Sequence, residues 1–306
     1  MMKSREYWQK RVEEVLQQTD KSDLDYFYEL QKVYNYYAKK IQDEVYSFYQ
    51  KYADLNGMTF TEAKKRLDEQ ELADYQANAE RYFKQAQKDK ELLDILNKQY
   101  AAAKVRRLDE LALELAQISG EMGTELEGSL SDYLSKVSEY AYEKLVSSNV
   151  DSRVIDEIIT REWNGSNYSE RIWGNVSKLD DQLKEVLIAG FIRGDAPSVV
   201  ARELRKVFNV KRSQAETLVR TEGTHIITDA TIKGYIKDGY KKYEFSAHLD
   251  SRTTKICKSL NGNEYNVKDY EPGTNAPPMH PNCRSAIMPT AAEINSNPYA
   301  DALSNV

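Results

Sequence analysis

The placement of proline constrains this chain more than any other feature. None of its seven prolines precedes Pro197, and six lie between Pro272 and Pro298. Proline lacks a backbone donor and collides with the preceding helical turn, whereas turns and irregular loops accommodate it. The first two thirds of the chain are therefore free to run as long helices, and the remainder must be short-segmented and rich in loops. The expected fold class is mainly α. A long-helix N-terminal body is expected over residues 1–150, a helical middle segment over 151–240 and a small α+β module, carrying both cysteines, over 241–306. At 306 residues the chain is long enough for about two cores.

Hydrophobic spacing supports the helical reading. Tyr26, Leu30, Val33, Tyr37, Ile41, Val45, Phe48 and Tyr52 recur in steps of three and four, the signature of one buried helix face. Asn56-Gly57 is expected to end this helix, and Thr59-x-x-Glu62 is a capping box that opens another at Phe60. A further stripe runs Leu108, Leu111, Leu115, Ile118, Met122, Leu126, Leu130, Leu134 and Val137. Gly120, Gly123 and Gly128 interrupt it, each costing about 1 kcal/mol relative to alanine. The 22 tyrosines read as core and interface packing. A helix-rich surface that docks onto another large protein is the alternative.

In the middle segment, Asn167-x-x-Glu170 is a second capping box, launching a helix at Tyr168. Gly194-Asp195-Ala196-Pro197 breaks the chain, and Pro197 suits the first turn of a helix SVVARELRKVF, followed by a helix over KRSQAETLVRTEGTHIITDA. Between Arg193 and Arg220, seven basic residues face three acidic ones, a local charge of +4 in a chain of net charge −6. Arg202, Arg205, Lys206, Lys211 and Arg212 are the candidate contacts to a phosphate backbone; a solvated helix face is the plainer reading. Glu222 falls on the apolar stripe Ala215, Leu218, Val219, Ile226 and Ala230. A carboxylate there needs a partner, and Arg252 or Arg284 is expected to supply it.

In the C-terminal module, Tyr243, Phe245, Ala247 and Leu249 alternate with Glu244, Ser246 and His248, the pattern of a strand. Asn261-Gly262 marks a tight hairpin turn, and a last short strand is expected from Ser285 to Met288. His280-x-x-Cys283, with Cys257 upstream, offers soft ligands at a spacing that suits zinc, with Asp250 or His248 as a fourth ligand. Two other readings stay open. The thiols can pack as small hydrophobes while His280 bonds a loop carbonyl, or they can bridge once outside a reducing compartment.

Several classes are excluded. No run of 18 apolar residues occurs, so no membrane-spanning helix is expected. The N-terminal MMKSREYWQKRVEE lacks the apolar core of a signal peptide, so folding in the cytoplasm is expected. With 43 basic against 49 acidic residues, any nucleic-acid contact must be local. The GxGxxG, GxxxxGK[ST], HExxH and GxSxG motifs are missing, so no catalytic residue is assigned.

The string LDSRTTKICKSLNGNEY…APPMHPNCRSAIMP resembles the signature of the phage minor head protein family, also called phage Mu F-like or head morphogenesis proteins. AETLVRTEGTHI, WNGSNYSERIW and the N-terminal YWQKR are similar to its upstream segments, so the resemblance touches nearly the whole chain. The long helical N-terminus resembles members from tailed phages and prophages of Gram-positive bacteria. The resemblance implies Arg220, Glu222, Asp250, Arg252, Pro278, His280, Cys283 and Arg284 as structural motif positions, together with Cys257. Many relatives carry a second cysteine pair, at positions that here are Thr254 and Ser285. Some carry a C-terminal toxin domain, which is not expected in a chain ending at Val306.

What the resemblance implies is a non-enzymatic minor capsid protein of the virion head interior. Its partners would be the portal protein, the capsid or scaffold interior and double-stranded DNA during assembly and packaging. Two rivals remain: a metal-dependent nuclease or hydrolase built on Cys257, His280 and Cys283, and a protein that binds and protects DNA and is ejected with the genome.

Overall fold

The structure is a computed structural model that describes residues 5–52, 59–63, 65, 68–86, 89–93, 95–96, 107–146 and 152–296. Along the chain run helices α1 (Arg5–Tyr52), α2 (Phe60–Ala63), α3 (Glu69–Gln85), α4 (Arg107–Leu145), α5 (Ser152–Thr160), α6 (Tyr168–Arg193) and α7 (Pro197–Lys237). The module that follows contains β1 (Lys242–Ser246), α8 (Lys255–Leu260), β2 (Glu264–Asn266), β3 (Ala286–Pro289) and α9 (Ala291–Ser296). The fold is mainly α with a small α+β module, as proline placement dictates.

Local signals act where they were expected. In the Thr59 capping box, the Glu62 carboxylate accepts from the Thr59 amide at 2.9 Å, and the Glu62 amide donates to Thr59 Oγ1 at 3.2 Å. Gly194 takes φ +71° between α6 and α7, a conformation that favours glycine. The apolar stripe of α1 extends further toward the N-terminus than Tyr26, through buried Trp8, Val12 and Val15. Where two helices were expected after Pro197, one continuous α7 forms, since neither glycine nor proline separates the two patterns. The expected stop at Asn56-Gly57 lies outside the described residues.

The compact units do not follow chain order. One is built from Met1–Tyr28, Ser129–Tyr168 and Ala215–Val306, the other from Glu29–Gly128 and Ser169–Gln214. Helices as long as α1, α4 and α7 contribute residues to both, which a linear division at 150 and 240 does not express.

In the second unit, Ile41, Val45, Phe48 and Tyr49 of α1, Leu111, Leu115 and Met122 of α4 and Phe191 of α6 are buried. Tyr49 stacks on Phe191 with ring centres 5.3 Å apart. The tyrosines do more than pack. Tyr37 donates to Glu125 at 2.9 Å, Tyr52 to Glu110 at 2.6 Å and Tyr82 to Glu114, so their hydroxyls fasten α1 and α3 to the acidic edge of α4. Gly123 is needed for a close approach: a Cβ there would lie 2.7 Å from the Trp173 ring.

In the first unit, Asp23 of α1 is buried. Tyr133 of α4 donates to it, and Arg220 Nε of α7 lies 3.3 Å away. The three strands form an antiparallel sheet in the order β2-β1-β3, with Tyr243 opposite Tyr265 on one side and Phe245 opposite Ile287 on the other. Tyr243 packs with Ile232, Tyr235, Tyr240 and Ile287. The alternation expected along β1 gives way to burial of Tyr243, Glu244 and Phe245 alike. Arg5 of α1 pairs with Glu244, so the would-be polar face is covered. Ala247 and Leu249 lie beyond the strand. The Asn261-Gly262 turn is present but is not a hairpin: α8 intervenes between β1 and β2, and Gly262 donates back to the Phe245 carbonyl at 2.8 Å.

Candidate metal centre

Helix α7 is the platform on which the site is assembled. One polar stripe, Thr217, Thr221 and Thr224, grips the turn that carries Cys283. Thr224 Oγ1 donates to the Cys283 carbonyl at 2.7 Å. The Asn282 amide donates to Thr221 Oγ1 at 3.2 Å, and its side chain reaches Thr217 at 3.4 Å. Asn282 sits at φ +59°, a conformation asparagine tolerates better than most residues. The Cys283 amide closes the turn onto the His280 carbonyl at 3.1 Å. Cys257 comes from α8, whose N-cap Thr254 accepts from the Cys257 amide at 3.3 Å.

These elements bring the three soft side chains together. Cys257 Sγ lies 3.3 Å from His280 Nε2 and 3.8 Å from Cys283 Sγ. All three ligand atoms fall within 4.8 Å of one another, with both cysteines buried and His280 half-buried. His280 Nδ1 is 2.9 Å from the Pro281 carbonyl. A carbonyl only accepts, so Nδ1 carries a proton. The hydrogen bond with Cys283, against burial, holds the Cys257 thiol well below its ordinary range; Ser285, Thr254 and His280 act in the same direction. Cys283 is pushed up by that same bond and by burial. Both cysteines are free.

Asp250, expected as a fourth ligand, has a different job. Arg284 Nη2 binds its two oxygens at 2.8 and 2.7 Å, and the Arg252 amide donates to it at 2.8 Å. The Arg284 guanidinium, with the Arg252 amide and Thr253, holds the Asp250 carboxyl well below the usual carboxylate range. A carboxylate so engaged is not offered to a metal. His248 Nε2 lies 3.9 Å from Asp250, and neither residue belongs to the Cys257, His280 and Cys283 group found among the described residues. The motif residues Asp250, Arg252 and Arg284 thus form a clasp joining the segment after β1 to the start of β3. Pro278, also in the motif, is buried and follows a cis peptide bond.

Glu222 is buried, as its place on the stripe required. It accepts from the Trp163 indole at 2.9 Å, while Arg252 and Arg284 bond Asp250. One turn on, His225 stacks on Trp163 with ring centres 4.4 Å apart. The sequence reading missed Trp163, His225 and the threonine stripe. Threonines recurring at 217, 221, 224 and 228 were the available signal, a line of hydroxyls at helical spacing. Arg220, the remaining motif position, lies over the Phe27 ring at 4.8 Å beside Asp23.

The candidate phosphate contacts divide. Arg202, Arg205 and Lys206 are exposed, with Arg202 and Lys206 both beside Glu203 at 3.4 and 2.9 Å. Arg212 is half-buried. Lys211 is a correction: it is only 4% exposed, and burial, with Lys178 nearby, lowers its pKa. It sits on the inward face of α7 and cannot reach a phosphate backbone.

Residues 181–288 match the family model described as phage Mu protein F like protein. Over this segment the chain is similar to phage Mu protein F. The family is one of phage head morphogenesis proteins. The Mu F-like segment takes in the end of α6, all of α7 and the module as far as β3, and so holds the whole Cys257, His280 and Cys283 cluster and the Asp250–Arg284 clasp. YWQKR and WNGSNYSERIW lie outside the match. No curated protein and no solved structure matches the chain. Among the described residues, no helix is long and apolar enough to cross a membrane.

Proposed function

We propose that this protein is a minor head protein: a non-enzymatic component of the phage head interior that associates with the portal protein and the capsid or scaffold interior during procapsid assembly and DNA packaging. The observation that carries this reading is the Mu F-like match over residues 181–288. The chemistry of that segment supports it. Asp250 and Arg284 are spent on each other, and the Cys283 turn is spent on Thr221 and Thr224. Polar groups committed to internal bonds hold a shape rather than turn over a substrate. Exposed apolar residues one turn apart, Leu24 with Tyr28 and Ile188 with Ile192, suit docking to protein. Contact with double-stranded DNA would rest on Arg202, Arg205 and Lys206.

The test is co-expression of the full chain with the portal protein of its phage. The two should co-purify, and the double variant Ile188→Glu/Ile192→Glu should stay folded while losing portal. Separate elution of the two proteins, together with metal-dependent DNA cleavage that disappears in His280→Ala, would overturn the proposal in favour of a nuclease.

A further inference from the structure

We propose that Cys257, His280 and Cys283 hold one zinc ion, with the fourth coordination position left to water or a donor from outside the chain. The distances carry this. A tetrahedral zinc at about 2.3 Å from each thiolate and about 2.0 Å from an imidazole nitrogen sets the two sulfurs about 3.8 Å apart and sulfur to nitrogen about 3.5 Å. The structure has 3.8 Å between the sulfurs and 3.3 Å between Cys257 Sγ and His280 Nε2, with Cys283 Sγ and His280 Nε2 within 4.8 Å of each other, so the ion would draw that last pair closer. A disulfide requires about 2.05 Å, so the Cys283 turn would have to move toward α8 against its bonds to Thr221 and Thr224. A hydrogen-bonded thiol pair alone explains the sulfur spacing but not the imidazole. His280 is turned with Nε2 toward the sulfur and Nδ1 fixed by the Pro281 carbonyl, the outer bond that fixes tautomer and ring orientation in metal-binding histidines.

The donor set selects the ion. Two sulfurs and one nitrogen, with no carboxylate in the group, suit zinc and reject magnesium or calcium, which take oxygen. The two sulfurs come from residues 26 apart in sequence, one on α8 and one on the turn before β3. An ion that binds the assembled pair and not the unfolded chain therefore stabilises the module by mass action. Ser285, two residues past Cys283, is where a third sulfur is introduced as a probe of the site.

The full chain, purified under reducing conditions without chelator, should contain one zinc per chain by mass spectrometry of the metal. Both thiols should resist titration until a chelator is added. Cobalt(II) should replace zinc with the intense visible bands of a tetrahedral site and a thiolate charge-transfer band. His280→Ala, at the half-buried rim, should keep its far-ultraviolet circular dichroism and lose affinity by about tenfold or more, and Cys283→Ser should abolish the charge-transfer band. Ser285→Cys should strengthen that band and slow loss of metal to chelator. A folded wild-type chain that takes up no zinc or cobalt on reconstitution, with two freely titrating thiols, would overturn the proposal. So would one equivalent of metal retained in the double variant Cys257→Ser/Cys283→Ser.

Discussion

Replacing Asp23 with asparagine should remove a pH dependence that the wild-type fold carries. Asp23 is 3% exposed, and its pKa is raised from 3.8 to about 6, burial outweighing the hydrogen bond from Tyr133 and the nearby Arg220. A carboxyl that keeps its proton longer in the fold than in the unfolded chain makes stability fall as pH rises between those two values. With the folded value near 6 and the unfolded value near 3.8, wild type should lose about 2 kcal/mol between pH 4.5 and pH 7 on this group alone. Asparagine keeps an oxygen for the Tyr133 hydroxyl but has no charge to bury. The urea-unfolding free energy of Asp23→Asn should therefore gain on wild type by about that amount over the same interval. A difference between the two proteins that stays constant from pH 4.5 to 7 would refute the reasoning, because it would mean Asp23 is ionised in the fold at no cost.

Gly123→Ala places a Cβ 2.7 Å from the Trp173 ring, which Glu127 holds by the indole nitrogen at 3.0 Å; chemical denaturation should show about 1–3 kcal/mol of destabilisation. Asp250→Asn should free Arg284 and raise amide exchange across Cys283–Met288. Because the Asp250 carboxyl is held below its usual range, the stability gap to wild type should be largest at neutral pH and narrow as pH falls below about 4. If the chain binds duplex DNA through the candidate stretch of α7, Arg202, Arg205 and Lys206 are its exposed cations there. The log–log salt slope should then be about −3 or shallower and unchanged in Lys211→Ala; a steeper slope that drops in that variant would put Lys211 on the surface.

The helical body was legible because its signals are local and repeat. Every position of the stripe from Leu111 to Val137 is buried, and capping and proline chemistry set the starts of α2, α6 and α7 where the chain begins them. What was not legible depends on partners distant in sequence. Nothing near Glu244 announces that Arg5 covers it, and the burial of β1 on both faces follows from that pairing. Lys211 looks like its basic neighbours, yet helical phase turns it inward while Arg202, Arg205 and Lys206 face out. Glu222 was recognisable as a buried carboxylate, but the Trp163 indole that bonds it lies 59 residues away in sequence. At the candidate site the three soft ligands could be named from spacing. The threonine stripe that fixes their turn, and the exclusion of Asp250, needed three dimensions.

The most direct test of the central claim is quantitative mass spectrometry of purified phage heads. The account predicts the chain in mature or precursor heads at a few copies per portal ring, and heads defective in assembly or packaging when its gene is deleted. Heads that lack the chain entirely and form in normal yield without it would contradict a role in head morphogenesis.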